Sequence, residues 1–278
     1  MYPGTLFADV CHIEAVGIQP DLGDGRAEGR QGGERGAVLR FGAVEVQLVG
    51  AAIVVKRADE IEAVLLRRGI SFGNGEARLG AAKGERLVVA IWIGTGIGGA
   101  VLLDGNLWLG RNRNAGEIGQ SFVDLRRAGN GTTEGTLEGI GAKVGMTAFM
   151  RRRIERGERT SVARQVLEKD GRLKGSDLRK ALAAGDALVE RALTRSARAV
   201  GVTIAPLWNV FSPDLFVLGG GVAEDAGDAY VGQVRDFASR HAFFTDLADV
   251  RIVRSALGDD AGILGAAVLA RETPGDRG

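Results

Sequence analysis

Apolar and polar positions fall into orderly patterns only from about Glu76 onward. Leu87-Val88-Val89-Ala90-Ile91-Trp92-Ile93 is an unbroken apolar run of strand length, which predicts a strand buried on both faces. It stops at Gly94-Thr95-Gly96-Ile97-Gly98-Gly99. Ala100 to Leu103, an Asp104-Gly105 turn and Leu107 to Leu109 then read as a hairpin. Leu137, Ile140 and Val144 stand at helical spacing in a segment that ends at the basic Arg151-Arg152-Arg153. A short helix is expected over Asp177 to Ala184 and a long one over Ala187 to Asn209. The long helix carries an apolar stripe of Val189, Leu193, Val200 and Ile204, with Pro206 expected to kink it or loosen its last turn. Leu215-Phe216-Val217-Leu218 predicts a second buried strand, closed by Gly219-Gly220-Gly221. A helix over Asp228 to Ser239, a weak strand over Arg251 to Val253 and a small-residue helix over Gly262 to Arg271 complete an α/β alternation.

The first 75 residues read differently. The stretch from Gly23 to Gly36 is polar, rich in glycine and arginine, and has neither helical nor strand periodicity. Ala43 to Val55 supplies a strand or two. Ala58 to Arg68 has a helical look, with Ile61, Val64 and Leu65 on one face. No assembled domain is legible there.

Composition narrows the chemistry. Lys and Arg total 36 against 35 Asp and Glu, a formal charge of +1, which argues against a nucleic-acid binder or a membrane-surface protein. A lone Cys11 excludes a disulfide framework and fits a reducing compartment. With only Cys11, His12 and His241, a Cys/His zinc site is close to impossible. The start has no basic stretch ahead of an apolar core, and the Leu48 to Val55 run is too short to span a bilayer. A cytoplasmic protein is the expectation.

The glycine loops carry the candidate chemistry. Gly94, Gly96 and Gly99 fit G-x-G-x-x-G, which alone suggests a dinucleotide site of Rossmann type and an oxidoreductase. That fingerprint needs a helix to begin in the loop, and here a strand-turn-strand follows. A phosphate-cradling loop between two strands is the better reading, with Thr95 adding a hydroxyl donor. A glycine-bearing hairpin without ligand stays open beside it. Gly219-Gly220-Gly221 offers a flat surface for an adenine or ribose, or simply a tight strand-to-helix turn. Glu117, in Ala115-Gly116-Glu117-Ile118-Gly119-Gln120, and Glu138, at a helix start, suit bidentate hydrogen bonding to the vicinal hydroxyls of a sugar. Equally, Glu138 is the common first-turn acid that complements a helix dipole, and Glu117 a solvated loop residue.

Taken in order, strand–GTGIGG–hairpin, NAGEIGQ, GTLEGIG, NVFSPDLFVLGGGVAE and ALGDDAGILGAA closely resemble the ROK family (repressors, open reading frames and sugar kinases) of the hexokinase/actin-like superfamily. The likeness runs from about Glu76 to Ala270. It implies a ribonuclease-H-like, actin/hexokinase-type two-lobed α/β ATPase fold, with the first lobe truncated or aberrant. Residues 1–75 form an irregular N-terminal region, and residues 76–278 the kinase-like domain. By resemblance, Gly94, Thr95 and Gly96 would hold the phosphates of ATP and Gly219, Gly220 and Gly221 would pack on its adenosine. Glu117, Gln120 and Glu138 would bind the sugar. The implied reaction is phosphoryl transfer from Mg-ATP to a hexose or N-acetylhexosamine hydroxyl, assisted by an Asp general base. A homodimer is implied as well.

Two departures stand out. Zinc-bearing members have a C-x-C-G-x-x-G-C-x-E motif and a His; here Gly129, Gly131 and Thr136 stand at the cysteines and Gln120 at the His. The chain therefore resembles a zinc-free branch, whose Gln120 to Thr136 loop is ordered by packing alone. The second departure is in the catalytic set. No D-x-G-x-T phosphate loop occurs in residues 1–75, and counting back from Glu76 places Arg68 where the catalytic Asp belongs, after Arg67 at an Asn. Arg68 is too basic to accept a proton. Three expectations follow. One is an active zinc-free kinase with a diverged first lobe. Another is a non-catalytic sugar- or nucleotide-binding relative. The third is a frameshift or mis-chosen start ahead of Glu76, which would leave the missing motifs in another reading frame of the coding DNA.

Overall fold

The computed structural model describes residues 38–41, 44–49, 52–57, 66–111, 114–127, 133–167, 173–243, 251–262 and 264–265. Four strands come first: β1 (Val38–Phe41), β2 (Val44–Val49), β3 (Ala52–Arg57) and β4 (Leu66–Arg67). They pair antiparallel in the order β1-β2-β3-β4. The strands expected within Ala43 to Val55 are thus β2 and most of β3. The helix expected over Ala58 to Arg68 falls largely outside the described residues, and its last part is strand. Helix α1 (Arg68–Leu79) then begins at Arg68.

The second sheet holds β5 (Leu87–Ile93), β6 (Ile97–Leu103) and β7 (Asn106–Leu107). Six helices follow before or around its last strands: α2 (Leu137–Gly141), α3 (Lys143–Ile154), α4 (Ala163–Leu167), α5 (Gly175–Ala183), α6 (Ala187–Phe211), then strand β8 (Leu215–Gly219), α7 (Gly221–Ser239) and strand β9 (Ile252–Arg254). The strand order is β7-β6-β5-β8-β9. The pairs β5–β8 and β8–β9 are parallel, and β5–β6 and β6–β7 antiparallel.

The continuous apolar runs are explained by burial on both sides. Val89, Ile91, Ile93, Phe216 and Leu218 face the helical layer of α2, α3, α6 and α7. Val88, Ala90, Trp92, Leu215 and Val217 face the other way, toward Phe72 and Ala77 of α1. Side chains two apart share a face, so the two periodic sets divide the strand cleanly. Phe216 is fully buried, and truncating it to Ala would cost about 3–5 kcal/mol. Asp214 fixes the parallel pair at its start: its carboxylate accepts from the Leu87 N–H at 2.7 Å and the Arg86 N–H at 3.1 Å.

Helix α6 is capped by Asp186, which accepts from the N–H groups of Leu188 and Val189 at 3.1 and 3.2 Å. It runs through Pro206 to Phe211, two residues past the expected end, and stops where Ser212 turns left-handed (φ 44°). The single helical pattern over Leu137 to Arg153 is in fact two helices, broken at the extended Ala142 (φ −71°, ψ 165°). Leu137 and Ile140 are buried, but Val144 is half exposed. Helix α7 begins at Gly221, seven residues before the Asp228 start expected, and is interrupted at Gly227 (φ 65°). The helix expected over Gly262 to Arg271 lies mostly outside the described residues. Among the described residues no helix is long and apolar enough to cross a membrane.

Candidate functional site

Both glycine loops open on one edge of the second sheet. Gly94-Thr95-Gly96 is the turn between β5 and β6, closed by the Gly94 N–H donating to the Gly96 carbonyl at 2.9 Å. Gly219 pairs with Trp92, the penultimate residue of β5, so Gly219-Gly220-Gly221 leaves the adjacent parallel strand beside that turn. Ligands of open α/β sheets bind outside the carboxyl ends of parallel strands, and these are such ends. Gly99 lies inside β6, and no helix follows the loop. The G-x-G-x-x-G is therefore a hairpin and not a dinucleotide fingerprint, and the Rossmann reading fails on this geometry.

The glycines differ in what requires them. A Cβ on Gly219 would sit 2.6 Å from Trp92 Nε1, so this position is set by the packing of the sheet. Gly220 has φ 82°, and a Cβ there would meet the Ile93 carbonyl at 2.8 Å. Gly221, the first residue of α7, is bounded by a cation: a Cβ would lie 3.1 Å from Lys143 Nζ. A Cβ on Gly96 would overlap the Glu138 carboxylate.

Glu138 is tied to the first loop from the other side. Its Oε2 accepts from the Ile97 N–H at 2.8 Å, and its Oε1 from Gln120 Nε2 at 3.3 Å. Gln120 and Glu138, eighteen residues apart, therefore form one unit directly beside Thr95, which is exposed. Glu117 is exposed at the start of a short 3-10 turn over Ile118–Gln120. That turn packs on β6 through Gly119, whose Cβ would strike the Ile97 carbonyl.

The two ends of the segment between Gln120 and Thr136 are held together by more than packing. Phe122 bridges Thr136, the Val123 and Asp124 N–H groups both donate to the Gly135 carbonyl, at 2.8 and 3.0 Å, and the Leu137 N–H donates to Ser121 at 2.8 Å. Thr136 itself caps α2, its hydroxyl accepting from the Gly139 N–H at 3.1 Å and donating to the Thr133 carbonyl at 2.7 Å. At these two ends the expectation of order by packing alone is corrected by backbone hydrogen bonds, while residues 128–132 lie outside the described residues. Gly129 and Gly131 lie outside the described residues. Among the described residues no group of three or more His, Cys, Asp or Glu is placed to hold a metal.

Three further residues are absent from the pattern read off the sequence. Lys143 opens α3. Its N–H donates to the Gly94 carbonyl at 2.9 Å, and its ammonium lies 3.4 Å from Asp225, which also pairs with Arg179. Lys143 and Asp225 come from distant helices and match no motif, so nothing in the sequence joins them. Glu76 is fully buried. Its carboxylate accepts from Ser255 Oγ at 2.5 Å and from the N–H groups of Ala81, Leu257 and Ala256 at 2.7, 3.0 and 3.3 Å. It thereby locks the C-terminal end of α1 to the loop after β9. A lone acid among glycines in Gly73-Asn74-Gly75-Glu76 was the available signal. Arg68 is the first residue of α1, immediately after β4, so the position counted back for a base falls at a strand-to-helix junction.

The sequence model of the ROK family matches residues 64–273. The chain is 31% identical over 203 residues to a glucokinase of Halalkalibacterium halodurans, covering 71% of this chain and 60% of that protein. It is 29% identical over 206 residues to a glucokinase of Thermotoga maritima, covering 74% and 64% respectively. The chain thus spans a little over six tenths of the length of these curated relatives. Among solved structures, the ROK hexokinase of Thermus thermophilus superposes with a TM-score of 0.61 at 29% identity, over 73% of this chain and 63% of that one. The ROK family glucokinase of Streptomyces griseus, in complex with glucose and AMPPNP, gives 0.63 at 26% identity, over 76% and 68%.

Proposed function

This chain belongs to the ROK family, and from that premise we propose that it is a sugar kinase-like protein with its nucleotide and sugar seats retained and its transfer step lost. The observation that carries the reading is the meeting of both glycine loops with Glu138 at one sheet edge. Phosphoryl transfer asks a protein for alignment, charge neutralisation and a proton acceptor on the attacking hydroxyl.

The first two are supported here. Mg-ATP, as the nucleotide substrate, lays its phosphates against Gly94, Thr95 and Gly96. Its adenosine lies along Gly219 to Gly221 at the positive end of α7. Lys143, over Gly221, brings an ammonium to that side, held in an ion pair with Asp225. Glu138 and Gln120, with Glu117 one turn away, hold the hydroxyls of a hexose or N-acetylhexosamine. Glu138 is well suited to this because the Ile97 N–H fixes one of its oxygens.

The third requirement is unmet. Arg68 stands at the base position, and a guanidinium does not accept a proton near neutral pH. Loss of a general base costs about 10²–10⁴ in rate. A homodimer is inferred from the family resemblance alone, and a reducing, cytoplasmic setting from the lone Cys11.

The test is a paired assay on the full chain across a panel of hexoses and N-acetylhexosamines. Sugar and Mg-ATP should each raise Tm, with no sugar-dependent ADP formation. Sugar-dependent ADP would show that a base comes from elsewhere and that the kinase is active. Absence of any Tm shift would remove the binding reading too.

A further inference from the structure

Beside α2 lies a cavity of about 210 Å³ lined by arginines from three separate segments: Arg127, Arg152 of α3 and Arg195 of α6. We propose that this cavity is a second ligand site, for a phosphate dianion or a phosphate monoester. The proposal is independent of the reading given for the glycine loops.

The positive charge outweighs the negative charge around it. Arginines beside these three are paired: Arg126 with Asp124, and both Arg153 and Arg191 with Glu158. Among the described residues Arg127, Arg152 and Arg195 form no ion pair. The cavity wall carries one carboxylate, that of Glu134, against the three guanidiniums. Arg195 Nε is buried without a hydrogen-bond partner. Its guanidinium is held over the Phe149 ring, 5.6 Å from the centroid, which limits where its donors can point. Burial, and then the charges of Arg127 and Arg152, hold the Arg195 pKa below its ordinary value, opposed only by Asp124. Like charges gathered beside a cavity are relieved by an anion.

Size and geometry favour phosphate. The volume is many times what a single water needs, enough for a phosphate group with a small substituent. Guanidinium forks match tetrahedral oxyanions bidentately, and several forks can share one. The Thr133 side adds polar lining, and Gly139 and Ile140 of α2 form part of the wall. These two residues follow Glu138 directly, so an occupant would share α2 with the sugar carboxylate.

The experiment is calorimetric titration of the full chain with inorganic phosphate and, separately, glucose 6-phosphate, at ionic strength held constant with NaCl. The variants are Arg152→Ala, Arg195→Met (which keeps an apolar stem) and, as a control outside the cavity, Arg191→Ala. Wild type should bind at least one of the two ligands. Affinity should fall tenfold or more in each cavity variant and be unchanged in Arg191→Ala. Tighter binding of the sugar phosphate would identify a monoester as ligand. Equal or tighter binding of inorganic phosphate would identify the free ion. The proposal is overturned by absence of saturable binding of either, by binding that survives both cavity substitutions, or by equal weakening in Arg191→Ala. Should Arg195→Met fail to fold by circular dichroism, Arg152→Ala, an exposed helix position, decides alone.

Discussion

Two regions of the molecule bear on the proposed chemistry, and they differ in kind. At the ends of β5 and β8, backbone does the work. Gly96 must lack a side chain so that Glu138 can approach, and Gly220 must be left-handed and clear of Ile93. At the end of β4, where α1 begins, the proposed function turns on the identity of one residue, and Arg68 stands there. A seat made of turns and close packing survives many substitutions, because the fold itself depends on it. A proton acceptor is one residue, and losing it leaves the fold intact. On the proposed function, binding and turnover are therefore separable.

Glu76 is the joint between the two regions, and breaking it should have the largest effect. Glu76→Ala leaves three N–H groups and the Ser255 hydroxyl without their acceptor. The expected loss is about 3–5 kcal/mol by urea unfolding, with Glu76→Gln recovering part of it. A loss below about 1 kcal/mol would mean that α1 and the sheet edge are not mechanically joined.

On the backbone side, Gly220→Ala forces a Cβ toward the Ile93 carbonyl at positive φ. It should cost about 2 kcal/mol and weaken nucleotide binding, read by thermal unfolding with and without Mg-ATP. Glu138→Gln sharpens the sugar side. It removes the carboxylate charge but keeps the shape, so hexose affinity should fall by about tenfold or more while stability changes little. Thr136→Ala removes the cap of α2 and should cost about 1 kcal/mol, the smallest of these effects.

Much of the second sheet was legible because its strands are buried on both faces and their apolar runs cannot mean much else. The Asp104-Gly105 turn was legible for a local reason: both residues have positive φ, 50° and 73°. The misses share a cause, tertiary contact overriding local signal. Helix α1 contains Gly69, Gly73 and Gly75, poor helix formers, yet a Cβ at Gly73 would sit 2.6 Å from Ala100 of β6. Helix α7 opens with small residues that read as loop because Gly221 lies against Lys143. The break at Ala142 lets the start of α3 donate to the Gly94 and Thr95 carbonyls, a partner 48 or more residues upstream. At the site, Gln120 and Glu138 were legible through the motifs around them. The Lys143–Asp225 pair and the arginine cavity were not, since each is assembled from separate helices.

The central claim is that the seats persist without the transfer step, and one calorimetric experiment reads both. Mg-ATP is injected stepwise into the protein already mixed with hexose. With the seats present and no transfer, a saturable series of binding peaks is expected, each returning to the original baseline. A baseline displaced for as long as substrate remains would reveal steady turnover, and a trace without binding heat would show that the nucleotide seat is absent; either would contradict it.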